Sequence, residues 1–195
     1  RIELHTSRDR SLFIYAFVYG ASPAPADFDM AGHRKAIIAS ACSGPEAVHS
    51  ALANRYLDAV DQGYLARSVT ERVERHIRCW SHLANGEDVH VAVENYSDGV
   101  PMSRVLIAAR AAEPRRALAH LARVGHRHDL RLERGYLDLV PAIDDDHRHV
   151  LIVSAYLSDN QGQPLSTDLA KTITDDLNAL RRLPPDDWAT HYENG

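Results

Sequence analysis

Hydrophobic and polar residues alternate strictly in the second half of the chain, and the spacing then becomes helical. Val89, Val91 and Val93 occupy every second position, which is the period of a β-strand with one buried face. Val105 and Ile107 continue this period after a turn at residues 98–101. The pattern predicts strands at 89–94, 104–109, 130–140 and 149–157, and helices that begin at about 113 and 166. From residue 104 onward the order is strand–helix–strand–strand–helix, which indicates an α+β module.

The first residues of the chain are typical of a β-hairpin. Ile2 and Leu4 alternate with polar residues, residues 7–10 form a polar tip, and residues 11–19 resemble a second strand. Residues 11–19 carry bulky apolar side chains on both faces, so the pattern predicts that this strand is covered on two sides. Either helices of the same chain or a partner surface would provide the cover. Residues 33–42 fit either a short helix or a strand.

Residues 44–86 show helical spacing. Leu52, Tyr56 and Val60 recur on one face, and Val73, Ile77 and Trp80 do so further along. Ser68-Val69-Thr70-Glu71 has the form of a capping box, so Ser68 is the predicted N-cap of the second helix. The two helices, joined by residues 62–67, would form a helical hairpin. The predicted organisation is a β-hairpin and linker at 1–43, a helical connector at 44–86 and the α+β module at 87–195.

Composition narrows the class of protein. Hydrophobic residues make up 45% of the 195 residues and the net charge is −5, so no general attraction to nucleic acid or anionic lipid is expected. Cys42 and Cys79 are the only cysteines, which excludes a disulfide framework and fits the cytoplasm. No apolar run approaches the length of a membrane span. Because the chain opens without methionine, it is expected to be a piece of a longer protein.

The chemically active residues do not form a familiar catalytic set. His126 and His128, like His147 and His149, are spaced so that they would share one face of a strand and could chelate a metal. No zinc-protease, paired-cysteine or phosphate-loop motif accompanies them. We therefore predict no catalytic residue, no metal ligand and no cofactor within this chain.

One short segment has the features of a small-ligand site. Glu113, Arg115 and Arg116 surround Pro114 at the predicted start of a helix, directly after a strand. Free backbone N–H groups at a helix start attract carboxylates, and the arginines could add charge-assisted hydrogen bonds. The alternative is that Pro114 merely occupies the first helical turn while both arginines are solvated. Both interpretations remain open from the sequence.

The order of elements after residue 104, with a short polar loop and a proline before the first helix, resembles an ACT domain. The resemblance implies a ferredoxin-like βαββα(β) sandwich that pairs through its sheets or helices and often binds amino acids at the loop after its first strand. The usual Asp-x-Pro-Gly pattern is altered here, because Glu113 precedes Pro114 directly and no glycine follows. A last strand is not evident after Leu183, so residues 89–94 or a strand of the first hairpin would complete that edge.

A further resemblance involves segments from most of the chain. Residues 2–10, 13–19, 55–64 and 134–139 look like the N-terminal region of large bacterial NAD-dependent glutamate dehydrogenases. In that family several ACT-like modules precede a catalytic part, and NAD belongs to the catalytic part. The resemblance implies a non-catalytic regulatory or oligomerisation region in contact with other copies or modules, with an amino acid as a possible effector. Two alternatives are a structural spacer without a ligand and a small metal-dependent hydrolase.

Overall fold

The computed structural model describes residues 2–6, 13–17, 24–96, 101–110, 114–140 and 149–178. Within these residues the helices are α1 (Met30–Ala41), α2 (Ser50–Ala59), α3 (Gln62–Arg67), α4 (Thr70–Ala84), α5 (Pro114–Arg127) and α6 (Thr167–Asn178). The strands are β1 (Ile2–Thr6), β2 (Phe13–Phe17), β3 (Val89–Tyr96), β4 (Met102–Arg110), β5 (Arg131–Val140) and β6 (Val150–Ser158). The α+β prediction and the strands expected from residue 89 onward are therefore confirmed.

Strands β3 to β6 form an antiparallel sheet in the order β3-β4-β6-β5. Between β4 and α6 the chain follows the predicted strand–helix–strand–strand–helix order. The edge beside β4 is filled by β3, which precedes the unit in sequence, with Val91 opposite Ile107. This arrangement is compatible with a ferredoxin-like fold in which an earlier strand takes the place of a last one.

Helices cover both faces of this sheet. Side chains alternate along β4, so Leu106 and Ala108 face the core shared with α1, α2 and α4, whereas Val105 and Ile107 face α5 and α6. β6 alternates in the same way, with Ile152 on the α4 side and Val153 on the other. The two central strands are buried on both faces for this reason. The segment 44–86 thus shares a hydrophobic core with the sheet.

The helical segment differs from the predicted hairpin. Residues 62–67 form helix α3 instead of a linker, because the Asp61 side chain accepts a hydrogen bond from the Tyr64 backbone N–H at 2.9 Å and caps a new helix. Helix α4 begins at Thr70, and its N-cap is Val69, without a side-chain capping bond. The predicted N-cap at Ser68 is wrong by one residue, since Ser68 is buried beside α3.

The first hairpin is confirmed at the level of the backbone. β1 and β2 pair in antiparallel register, with Leu4 opposite Tyr15. Their side chains lie outside the described part of the structure, so the predicted cover on both faces of residues 11–19 stays a prediction. Of residues 33–42, which the pattern did not assign, all but the C-cap Cys42 belong to α1, whose Ile37 and Ala41 are fully buried.

Candidate functional site

Strand β5 is the outer strand at one end of the four-stranded sheet and its most exposed member. Among the described residues it pairs with β6 alone. Most residues of β5 are exposed, whereas nearly all those of β4 and β6 are buried. The unpaired side of an outer strand presents backbone N–H and C=O groups that another chain can bond. This edge is therefore where the sheet can be extended.

The second half of β5 exposes a large hydrophobic side chain on each of its faces. Tyr136 is 39% exposed and Leu139 is 53% exposed. Tyr136 lies on the α4 side, where it contacts Arg72, whereas Leu139 lies opposite Leu151 on the α5 and α6 side. The first half carries arginine and glutamate side chains and a β-bulge between residues 132 and 134, features that oppose pairing. Residues 135–140 are thus the part best suited to a partner.

A polar network holds this part of β5 against the helices. Arg72 donates a hydrogen bond from Nη2 to Asp138 Oδ2 at 2.6 Å. The same carboxylate oxygen lies 3.6 Å from His76 Nε2, and His76 Nδ1 lies 2.9 Å from the Tyr64 hydroxyl. The network therefore connects α3, α4 and β5 through four side chains.

Local structure explains why these side chains meet. Arg72 and His76 are four residues apart on α4, so they lie one above the other on the side that faces β5. Asp138 alternates along β5 with Leu137 and Leu139, which places its carboxylate on the α4 face. The side chains of Val73, Ile77 and Trp80 fill the adjoining core, so the network lies at the edge of a dry region.

Burial controls the protonation of the network. Burial lowers the pKa of His76 to about 4; Asp138 opposes this shift, and Arg72 and Arg75 reinforce it. Burial, with the nearby Asp138 carboxylate, raises the pKa of Tyr64 to about 12. The Tyr64 hydroxyl lies within hydrogen-bonding distance of Nδ1, whereas Nε2 faces Asp138 at a distance too long for a hydrogen bond. The arrangement is a positioning network of neutral His76 and Tyr64 beside one ion pair.

A groove of about 410 Å³ lies beside this network, between α4 and the sheet. Arg104 donates to Glu94, and Arg75 lies 4.0 Å from the same residue. The guanidinium group of Arg72 is bound to Asp138. An anionic ligand entering the groove would compete with these carboxylates for the arginines. The ion pairs of Arg72 and Arg75 therefore connect α4 to the neighbouring strands.

The helix at the predicted ligand segment begins within one residue of its predicted start. Helix α5 starts at Pro114, shortly after β4 ends at Arg110. Arg115 and Arg116 lie in its first turn, but their side chains lie outside the described part of the structure, as does Glu113. The proposed carboxylate contacts of these three residues therefore stay a prediction.

His126 and His128 do not lie on a strand. His126 is in the last turn of α5 and is exposed, and His128 follows the helix, where its Nε2 lies 2.8 Å from Asp176 Oδ2. Asp129, two residues after the last residue of this helix, has a φ of +52°. His149 is exposed just before β6, and His147 lies outside the described residues.

A third group of histidines was missed by the sequence analysis. His82, Glu87 and His90 place one ligand atom each within 4.8 Å of one another. They come from the end of α4, the turn after it and the second residue of β3. The sequence signal for this cluster was the turn at Asn85-Gly86, where the chain reverses direction after α4. Since His90 alternates with Val89 and Val91, it lies on the face of β3 that is directed toward the helix.

The described helices include none that is both long enough and apolar enough to cross a membrane. Comparison of the chain with protein-family models, with curated protein sequences and with solved structures finds no match.

Proposed function

We propose that this chain is a non-catalytic assembly and regulatory module that binds a second copy, or a neighbouring module of the same protein, along residues 135–140 of β5. The observation that carries the proposal is the outer strand itself, with Tyr136 and Leu139 exposed on its two faces. Pairing would continue the sheet through backbone hydrogen bonds, and the two apolar side chains would be covered from either side.

The network behind β5 supports this role. The bond from Arg72 to Asp138 and the contact of Arg72 with the Tyr136 ring, 4.9 Å from its centroid, hold the strand in one position. A strand that is already ordered loses less conformational entropy when a partner binds. The fold, compatible with a ferredoxin-like sandwich, and the resemblance to ACT domains support the same proposal. In this proposal the parent protein is a cytoplasmic NAD-dependent glutamate dehydrogenase, whose NAD-binding part lies elsewhere.

The expected affinity is modest. Completing the burial of two half-exposed side chains contributes roughly 1 kcal/mol each, and each new backbone hydrogen bond contributes about 0.5–1.5 kcal/mol. Association costs at least about 4 kcal/mol in lost translational and rotational freedom. The isolated chain should therefore self-associate with a Kd in the micromolar range or weaker. Tethering within a larger enzyme would raise the effective concentration of the partner strand to about the millimolar range, which is sufficient for a contact with a micromolar Kd to form.

Sedimentation equilibrium over a wide concentration range tests the proposal. Leu139→Lys places a charge on the outer strand without entering the core, and should weaken self-association by about 10-fold or more. Ala51→Lys is the matched control, because it adds the same charge at an exposed residue of α2 and should leave association unchanged. Equal association of the wild type and Leu139→Lys, or a wild type that stays monomeric at millimolar concentration, would reject β5 as the interface.

The non-catalytic part of the proposal has a separate test. The purified chain, incubated with glutamate and NAD, should form no NADH above a blank without protein. Glutamate-dependent NADH formation that purifies with the chain would show that it carries catalytic groups of its own.

A further inference from the structure

Three side chains at the junction of α4 and β3 have the composition and spacing of a metal site. The carboxylate of Glu87 contacts both imidazoles, with His82 Nδ1 3.3 Å from Oε1 and His90 Nδ1 3.3 Å from Oε2. The two rings are stacked, with their centroids 3.7 Å apart. Two imidazole nitrogens and one carboxylate are a common ligand set for zinc, with the fourth position left for water.

The distances fit metal ligands as well as they fit long hydrogen bonds. Zinc bonds of about 2.0–2.2 Å in a tetrahedral arrangement separate neighbouring ligand atoms by about 3.4 Å. The observed 3.3 Å matches this separation, whereas N–H···O hydrogen bonds are most common at about 2.9–3.0 Å. Stacked, nearly parallel rings direct their Nδ1 lone pairs along nearly parallel lines, so both imidazoles must rotate substantially to direct them at one point. The partial exposure of His82 leaves room for that rotation.

The backbone that carries the three side chains is already fixed. Arg110 donates hydrogen bonds to the carbonyl oxygens of Leu83 and Glu87, on either side of the turn. Gly86 adopts a φ of +99°, and this left-handed turn reverses the chain directly after α4. His90 is held by the ladder that pairs it with Ala108. A metal ion would therefore meet ligands that need side-chain rotation alone.

The charges around the cluster also suit a cation. The carboxylate of Glu87 supplies one negative charge within the cluster itself. The Glu46 carboxylate adds a second negative charge in the surroundings of His90. The guanidinium of Arg110, bonded to the carbonyl oxygens of Leu83 and Glu87, adds a positive charge to the same turn.

We propose that His82 Nδ1, the Glu87 carboxylate and His90 Nδ1 bind one Zn²⁺ ion, with water completing the coordination. The ion would link the end of α4 to the start of β3, and so connect the helical segment to the sheet at a point distant from β5. This site is independent of the assembly role proposed above. Its partially exposed position would allow exchange with zinc in solution.

Calorimetric titration of the metal-free chain with zinc chloride tests the proposal. The wild type should bind one equivalent in the micromolar range or tighter. His82→Ala and His90→Ala should each weaken binding by more than about 100-fold, because loss of a second-shell partner alone costs about 10- to 100-fold. Glu87→Gln, which preserves the shape of the side chain, should also weaken it. His126→Ala is the matched control for this histidine-rich chain and should leave the affinity unchanged.

Two further measurements separate a defined site from surface binding. At a free zinc concentration about 100 times Kd, the midpoint of thermal unfolding should rise by about 5–10 °C in the wild type and not in His90→Ala. Co²⁺ in place of zinc should give the strong visible absorption of a four-coordinate ion. Binding that survives in a His82→Ala/His90→Ala double variant with native circular dichroism would overturn the proposal. Absence of wild-type binding below millimolar zinc would overturn it as well.

Discussion

The stability of the protein should decrease at acidic pH because of one buried histidine. His76 is 1% exposed, and its ring is held between the Tyr64 hydroxyl and the Asp138 carboxylate. His76→Gln removes the titrating group but keeps an amide that can bond Tyr64. The comparison of the wild type with this variant therefore isolates the titration of one side chain, because Asp138, Arg72 and Arg75 are present in both proteins.

The direction and the magnitude of this pH effect follow from the difference in the pKa of His76 between the folded and unfolded states. Burial lowers the pKa of His76 from 6.5 to about 4 in the folded protein. Between these values the unfolded chain binds a proton at this residue and the folded chain does not, so stability falls as the pH falls. A difference of about 2.5 units corresponds to roughly 3 kcal/mol, lost between about pH 6.5 and pH 4. Below pH 4 both states are protonated and the loss from this residue ends.

Urea unfolding at several pH values between 7.5 and 4 measures this effect. The difference in unfolding free energy between the wild type and His76→Gln should shift by roughly 3 kcal/mol in favour of the variant as the pH falls. His126→Gln is the control, since His126 is exposed and outside the network; its curve should run parallel to that of the wild type. Parallel curves for the wild type and His76→Gln would refute the reasoning.

Two further predictions concern a thiol and the loop before α5. Burial raises the pKa of the Cys79 thiol to about 12. A thiol reagent should therefore label Cys42 readily and Cys79 only as the protein unfolds. Equal labelling rates for the two cysteines in the folded protein would contradict the burial of Cys79. If an amino acid binds at the start of α5, Arg115→Ala or Arg116→Ala should weaken its binding by about 10- to 150-fold in calorimetry. A ligand whose affinity neither substitution changes must bind elsewhere.

The sequence alone determined most of the elements, because the period of a strand or an amphipathic helix is a local property. The alternation around Val91, Val105 and Ile107 located two strands, and helical spacing between residues 44 and 86 located α2 and α4. Of the two strands that the sequence left open for the sheet edge, residues 89–94 fill it, and the first hairpin forms a separate sheet. The α3 helix was missed because it depends on one capping bond from Asp61 in a segment too short for a period. Residues 33–42 stayed unassigned because tertiary packing on α4 decides which of their apolar residues are buried.

The proposed interface and the metal site depended on tertiary structure. Arg72 and Asp138 are 66 residues apart, and His76 is buried because α4 packs on the sheet. In the sequence these residues look like ordinary polar positions on amphipathic elements. His82, Glu87 and His90 span a helix, a turn and a strand, so no single periodicity relates them. Periodicity predicts which face of each element is apolar, whereas the distance between polar groups on different elements depends on how those faces pack together.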